Sequence, residues 1–219
     1  MRKLLIIFVV AMVLVGSAMA QGSWYPKRTG TTPIASDAGS NLEGFIAIQT
    51  IPVAETSDDD QIMAAYINAF NNTTKFVLLS NSSQFLAQPD VSRNIIVTMN
   101  TSTTCALKLT GTDISGAAIT ENLTWTAETG VKASTKAFKT VTRIDATTTT
   151  NTAQAKIGTG DLLGLNSKLA TNTVLLAAMD GTREGTAPAV TVNATVLSLN
   201  TIDTNTAPGG KVTTVWYIV

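Results

Sequence analysis

From Lys75 onward the apolar residues recur with a period of two. Ile95, Val97 and Met99 share one side of their segment. Cys105, Leu107 and Leu109 alternate with Ala106, Lys108 and Thr110, and Ile119, Leu123 and Trp125 oppose Thr120, Asn122, Thr124 and Thr126. Val212, Thr214, Trp216 and Ile218 repeat the pattern, which places Trp125 and Trp216 inward. Successive side chains of a strand point to opposite faces, so this alternation predicts antiparallel sheet with one wet side. The chain holds 37 threonines, and β-branched side chains suit the exposed faces of strands. Turn signals fall at Asp113–Gly116, Thr129-Gly130, Gly158–Gly164, Asp180-Gly181 and Pro208-Gly209-Gly210. Short strands between such turns predict a mainly β fold, an antiparallel β-sandwich or jelly-roll-like domain over residues 58–219.

The region before it reads differently. Arg2 and Lys3 precede the apolar run Leu4–Val15, and Ala18-Met19-Ala20 follows. A basic start, a short apolar run and a small-x-small site predict a secretory signal peptide, residues 1–20, cut after Ala20. An uncleaved anchor is the alternative, although twelve apolar residues are short for a bilayer, which takes about 20. Residues 21–57, with Pro26, Pro33 and Pro52, read as a flexible arm. It contains one expected short strand at Phe45–Ile51, with Ile46, Ile48 and Thr50 on one face. Trp24 and Tyr25 near its start are candidate docking residues. Asp58-Asp59-Asp60 leads into Ile62, Met63, Tyr66, Ile67 and Phe70, a spacing that predicts one short helix with acids at its positive end, closed by Asn71-Asn72. One or two helical turns are also expected within Leu162–Leu169.

Few residues suggest chemistry. The formal charge is zero, with 15 basic and 15 acidic residues, so nothing favours nucleic-acid binding, which needs clustered positive charge. There is no histidine, the commonest general base and metal ligand, and Cys105 is the sole cysteine. Cys105 is expected inward and inert. The triple Asp lacks the alternating ligands and distal Glu of a calcium loop. Gly158-Thr159-Gly160 and Gly164 miss the dinucleotide fingerprint, and a tight turn is the expected role. Asp113, Glu121, Glu128, Asp145, Asp161, Asp180 and Glu184 are available as acids. Asp161, Asp180 and Glu184 adjoin a glycine and Asp113 and Glu128 have one two residues away, as turn residues do, whereas Glu121 falls on an inward face and is expected to pair with Lys139 or Arg143. No Ser-x-x-Lys occurs. The expectation is therefore a non-enzymatic protein with no cofactor and no metal. Of six Asn-x-Ser/Thr triplets, Asn122 and Asn193 are the candidate glycosylation sites.

Two stretches carry a resemblance. One is Gln88-Pro89-Asp90-Val91-Ser92-Arg93-Asn94-Ile95-Ile96-Val97-Thr98. The other runs from Leu109 through Asp113, Gly116 and Glu121 to Lys136-Ala137-Phe138-Lys139-Thr140-Val141-Thr142-Arg143-Ile144. With Ile157-Gly158-Thr159-Gly160-Asp161, Leu163-Gly164-Leu165 and Thr206-Ala207-Pro208-Gly209-Gly210, they resemble a group of β-rich tailed-phage structural proteins of poorly defined role, over roughly residues 60–219. The resemblance implies a virion-like subunit without enzyme activity. A signal peptide departs from that pattern and points to an exported surface or filament subunit on a similar domain. The expected role is secreted or cell-surface, self-assembling as a homo-oligomer, with other surface or virion proteins as further partners. No nucleic acid, and no membrane after signal cleavage, is expected. The last strand, Val215-Trp216-Tyr217-Ile218-Val219, is apolar on both faces and needs cover on both. Trp216 and Tyr217 are therefore candidate interaction residues beside Trp24 and Tyr25. The alternative is a monomeric adhesin or carbohydrate-binding module.

Overall fold

The computed structural model describes residues 45–67, 75–149 and 152–219, without the side chains of 64–67. The expected signal sequence, Trp24 and Tyr25 lie outside these residues. The described chain is mainly β, with antiparallel pairing throughout. Its strands are β1 (Ile46–Ala54), β2 (Asp58–Ile67), β3 (Lys75–Leu79), β4 (Arg93–Thr112), β5 (Ala118–Ala133), β6 (Thr140–Thr148) and β7 (Ala155–Gly164). They continue with β8 (Val174–Met179), β9 (Thr182–Arg183), β10 (Ala189–Thr191), β11 (Thr201–Asp203) and β12 (Lys211–Ile218).

One sheet has the order β1-β12-β8-β9. The other runs β10-β11-β7-β4-β6-β3, with β2 added on β7 and β5 on β4. β4 is its spine. The first half of β4 is buried on both faces, as its continuous apolar run Ile95-Ile96-Val97 requires. The second half alternates, with Cys105, Leu107 and Leu109 buried and their neighbours exposed, as the period of two predicts. The β4–β5 hairpin closes where the turn signal lies: Asp113 Oδ1 accepts from Ser115 N, Ser115 Oγ and Ala117 N at 2.7–3.0 Å, and Gly116 takes φ +85°. Asp180 and Gly181 form the β8–β9 turn, both with positive φ.

Two apolar clusters hold the sheets. The first gathers β2 to β7 around Trp125, Phe138, Leu107 and Ile157. Burying each such side chain contributes about 1.5–3 kcal/mol. Phe138 and Val141 are both fully buried, Phe138 from the turn before β6. The second cluster joins Ile51, Ala177, Val215 and Tyr217 of the four-stranded sheet to Leu163 and Ile202 of the larger one.

Several expectations are corrected. The helix at Asp58–Asn72 is not formed; Asp58–Ile67 is a strand, and 68–74 lie outside the described residues. Pairing with β7 supplies the backbone bonds, and two register shifts break the simple alternation that marks a strand in sequence. Adjacent Ile62 and Met63 are both fully buried, so the strand is covered on both faces. The helical turns expected over Leu162–Leu169 are also absent. β7 runs through Gly164, and the amides of Leu165 and Leu169 bond instead to Asn200. The one helical element among the described residues is a 3₁₀ turn at Leu197–Leu199. Thr129-Gly130 is not a turn but an irregularity inside β5, which shifts its register on β4. Gly158 and Gly160 lie inside β7, where they admit close neighbours. β1 runs on from the short strand expected at Phe45–Ile51 and pairs with β12.

Candidate functional site

The outer face of the four-stranded sheet carries apolar residues from neighbouring strands side by side. Ile46 pairs with Ile218, Ile48 with Trp216 and Thr50 with Thr214; Trp216 in turn pairs with Leu176. Ile46 is 65% and Ile48 61% exposed, and Trp216, Ile218 and Leu176 are half-buried beside them. No charged residue occurs from Phe45 to Ala54. Scattered exposed apolar side chains are ordinary; here they stand side by side across neighbouring strands.

This reverses one expectation. Trp216 faces outward, and the inward residues of β12 are Thr213, Val215 and Tyr217. Tyr217 is 1% exposed and lies in the core rather than on a surface. The reason is polar. The Tyr217 hydroxyl donates to Asn166 Oδ1, with Ser167 Oγ at 3.2 Å and Gln49 Oε1 at 3.5 Å. Buried Gln49 donates to the Gly164 carbonyl at 3.0 Å and accepts from Asn166 N at 2.9 Å. A buried phenol needs such partners. The larger and more apolar Trp216 is left on the open side. Sequence alternation groups Ile46, Ile48 and Thr50 correctly, but the parity of β12 depends on Gln49 and Asn166, which lie far away in the chain.

A second constellation escaped the sequence reading. Arg93 is completely buried. Its Nε donates to the Gly160 carbonyl at 2.7 Å and Nη1 to the Glu55 carbonyl at 3.1 Å. Asp90 pairs with Nη1 at 3.1 Å, and Asp161 lies 3.7 Å from Nη2. Asp90 Oδ2 also accepts from Glu55 N at 2.6 Å. One guanidinium thus ties the β1–β2 link to β4 and β7. The sequence signal was the Asp90–Arg93 spacing before an apolar strand, a position where a charge is otherwise costly.

The remaining acids are engaged locally. Glu121 accepts from Thr135 N, Thr135 Oγ1 and Lys136 N at 2.7–2.9 Å, rather than pairing with Lys139 or Arg143. Arg143 instead clasps Asp145 at 2.6 Å, and the hydrogen bonds it donates, with its charge, lower the Asp145 pKa. Glu128 pairs with Lys132, Asp180 accepts from Val212 N, and Glu184 from Thr206 N. Asp58, Asp59 and Asp60 bring carboxylate oxygens within 4.8 Å of one another, but Asp59 pairs with Lys156 and Asp58 accepts from Asp60 N at 3.0 Å. The hydrogen bond to Asp58 raises the Asp60 pKa. Burial pushes the Cys105 thiol up to about 11, so it stays protonated at neutral pH. Asn122 is exposed; Asn193 is half-buried, with its Oδ1 holding the amides of Thr195 and Val196.

Asp203 gives a pH-dependent prediction. Burial raises its pKa, and the charges of Asp161 and Glu184 add to the rise. The folded state therefore holds the Asp203 proton more tightly than the unfolded chain, whose value is near 3.8. The associated stability is fully present below that value and is lost as pH rises through the folded pKa. Asp203→Asn should accordingly be more stable than the parent at pH 7, by no more than about 0.5 kcal/mol, because the side chain is only partly buried and is screened by solvent. The gain should vanish near pH 3. Urea melts at both pH values check this, and a gain that persists at pH 3 would contradict it.

Compared with protein-family models, curated protein sequences and solved structures, the chain matches none. No helix among the described residues is long and apolar enough to cross a membrane.

Proposed function

We propose that this chain is a non-enzymatic structural subunit, exported by its N-terminal signal, that self-associates into a surface layer, a filament or a virus-like particle. Its body is an antiparallel β-sandwich, jelly-roll-like in joining its first described strand to its last. The second apolar cluster, shared between the two sheets, supports the sandwich. The observation that carries the function is the uncharged row Ile46, Ile48, Trp216 and Ile218 on an open sheet face. Leaving such a face in water forgoes about 25 cal/mol for every Å² that a partner would cover. The tailed-phage resemblance supports the virus-like form, and the basic-apolar-small start supports export.

Negative-stain electron microscopy of the purified protein, with N-terminal sequencing, tests this reading. Regular assemblies whose chains start at Gln21 are expected; dispersed single particles at every concentration would refute it. One observation favours a second reading, a carbohydrate-binding adhesin. Trp216 lies on the open face beside Ile48, where an indole can stack on a sugar ring. A monomer by light scattering that binds a glycan array, and loses that binding in Trp216→Ala, would select it.

A further inference from the structure

The edge of β1 names how the copies meet; the inference rests on the self-association reading and deepens it. Phe45 and Val219 exchange both backbone bonds at 3.0 Å, so Phe45, Ala47, Gln49 and Ile51 direct their amides and carbonyls to β12. Ile46, Ile48 and Thr50 direct theirs the other way, to the side of β1 that no described strand occupies. Other edges among the described residues are blunted. β2 carries three aspartates, β3 begins with Lys75, and β5 bears Glu121, Glu128 and Lys132. β9 and β10 have two and three residues. Short edges and charged edges are the usual defences against strand addition. β1 has neither over Phe45–Ile51.

We propose that a second copy of this chain pairs at this edge, antiparallel to β1, about a two-fold axis through Ile48. That register places Ile48 against Ile48 of the second copy, and Ile46 against Thr50 of the second copy. It uses every outward-directed backbone group of the three residues. Pro52, which has no N–H, ends the pairing on each side. Charge decides for a second copy over other partners. A two-fold axis repeats any charge near it on the facing strand, and the strip from Phe45 to Ala54 has none to repeat. The two four-stranded sheets become one, and the rows Ile48–Trp216–Leu176 of both copies run on across the axis.

Sedimentation velocity of the full-length chain over a concentration series tests the contact. Ile48→Lys places like charges face to face and should weaken association about tenfold or more. Its far-UV spectrum and melting curve should stay those of the parent, because Ile48 is 61% exposed. Ile48→Glu should behave alike alone, and an equimolar mixture of the two variants should regain the parent's association. If the parent assembles and Ile48→Lys assembles equally well, the β1 contact is wrong while self-association stands. If each variant dissociates but the mixture stays dissociated, the two-fold register is wrong. A parent that is monomeric at about 100 µM overturns both the contact and the function proposed above.

Discussion

Arg93→Met should destabilise the fold by about 3–5 kcal/mol, the range for removing one partner of a buried charge pair. The guanidinium is completely buried and serves groups from three places in the chain. Methionine fills part of its volume but donates nothing. Asp90 then keeps a charge with its nearest cation gone, and the carbonyls of Glu55 and Gly160 lose their donor. Arg93→Lys should fall between. One ammonium cannot meet Gly160, Glu55 and Asp90 together, because it lacks the planar fork of donors. Arg93→Met combined with Asp90→Asn should cost less than the two single changes added together, since the second removes the charge the first strands. Urea unfolding of the parent, the three single variants and the double variant settles it. Strict additivity, or a loss below about 1 kcal/mol in Arg93→Met, would mean that the buried cluster contributes little beyond packing.

The same cluster shows what the sequence does and does not disclose. The alternation at Cys105, Leu107 and Leu109, and the turn at Asp113–Gly116, were legible because neighbours in the chain determine them. Periodicity and turn chemistry are local signals. β2 was not legible as a strand. Its pairing on β7 has two register shifts, so its apolar residues lose the period of two and imitate a helical face. The role of Arg93 is not legible, because three of its partners, Glu55, Gly160 and Asp161, lie 38 to 68 positions away. The candidate surface was half legible. Ile46, Ile48 and Thr50 share a face in both sequence and structure, whereas Trp216 and Tyr217 exchange sides. An alternating strand apolar on both faces has two parities of nearly equal hydrophobicity. Here the hydroxyl of Tyr217, met by Asn166, Ser167 and Gln49, selects between them.

Gly158→Ala should be the most damaging single-methyl change in β7. A Cβ at this position would lie 1.8 Å from the Asp58 carbonyl oxygen and 2.6 Å from the Asp59 carbonyl carbon. Both are backbone atoms, so no side-chain rotation relieves the contact. β2 must move away from β7. That movement breaks the pairing of Asp58 with Thr159 and of Met63 with Ile157, and the 2.6 Å bond from Thr159 Oγ1 to Gln61. It also loosens Ile62 and Met63, both fully buried in the first apolar cluster. Overpacking of this kind costs about 1–3 kcal/mol, occasionally more, and loss of the strand's own burial puts this case at or above the upper end. Gly185→Ala is the matched control. Its Cβ meets nothing within 4 Å, and the same methyl there should be neutral or slightly stabilising through the unfolded chain. Amide exchange separates a local from a global effect: in Gly158→Ala the β2 amides should lose protection before those of β4. Equal melting temperatures for the two variants would mean that β2 does not lie against β7, and the strand assignment that replaced the expected helix would fall with it.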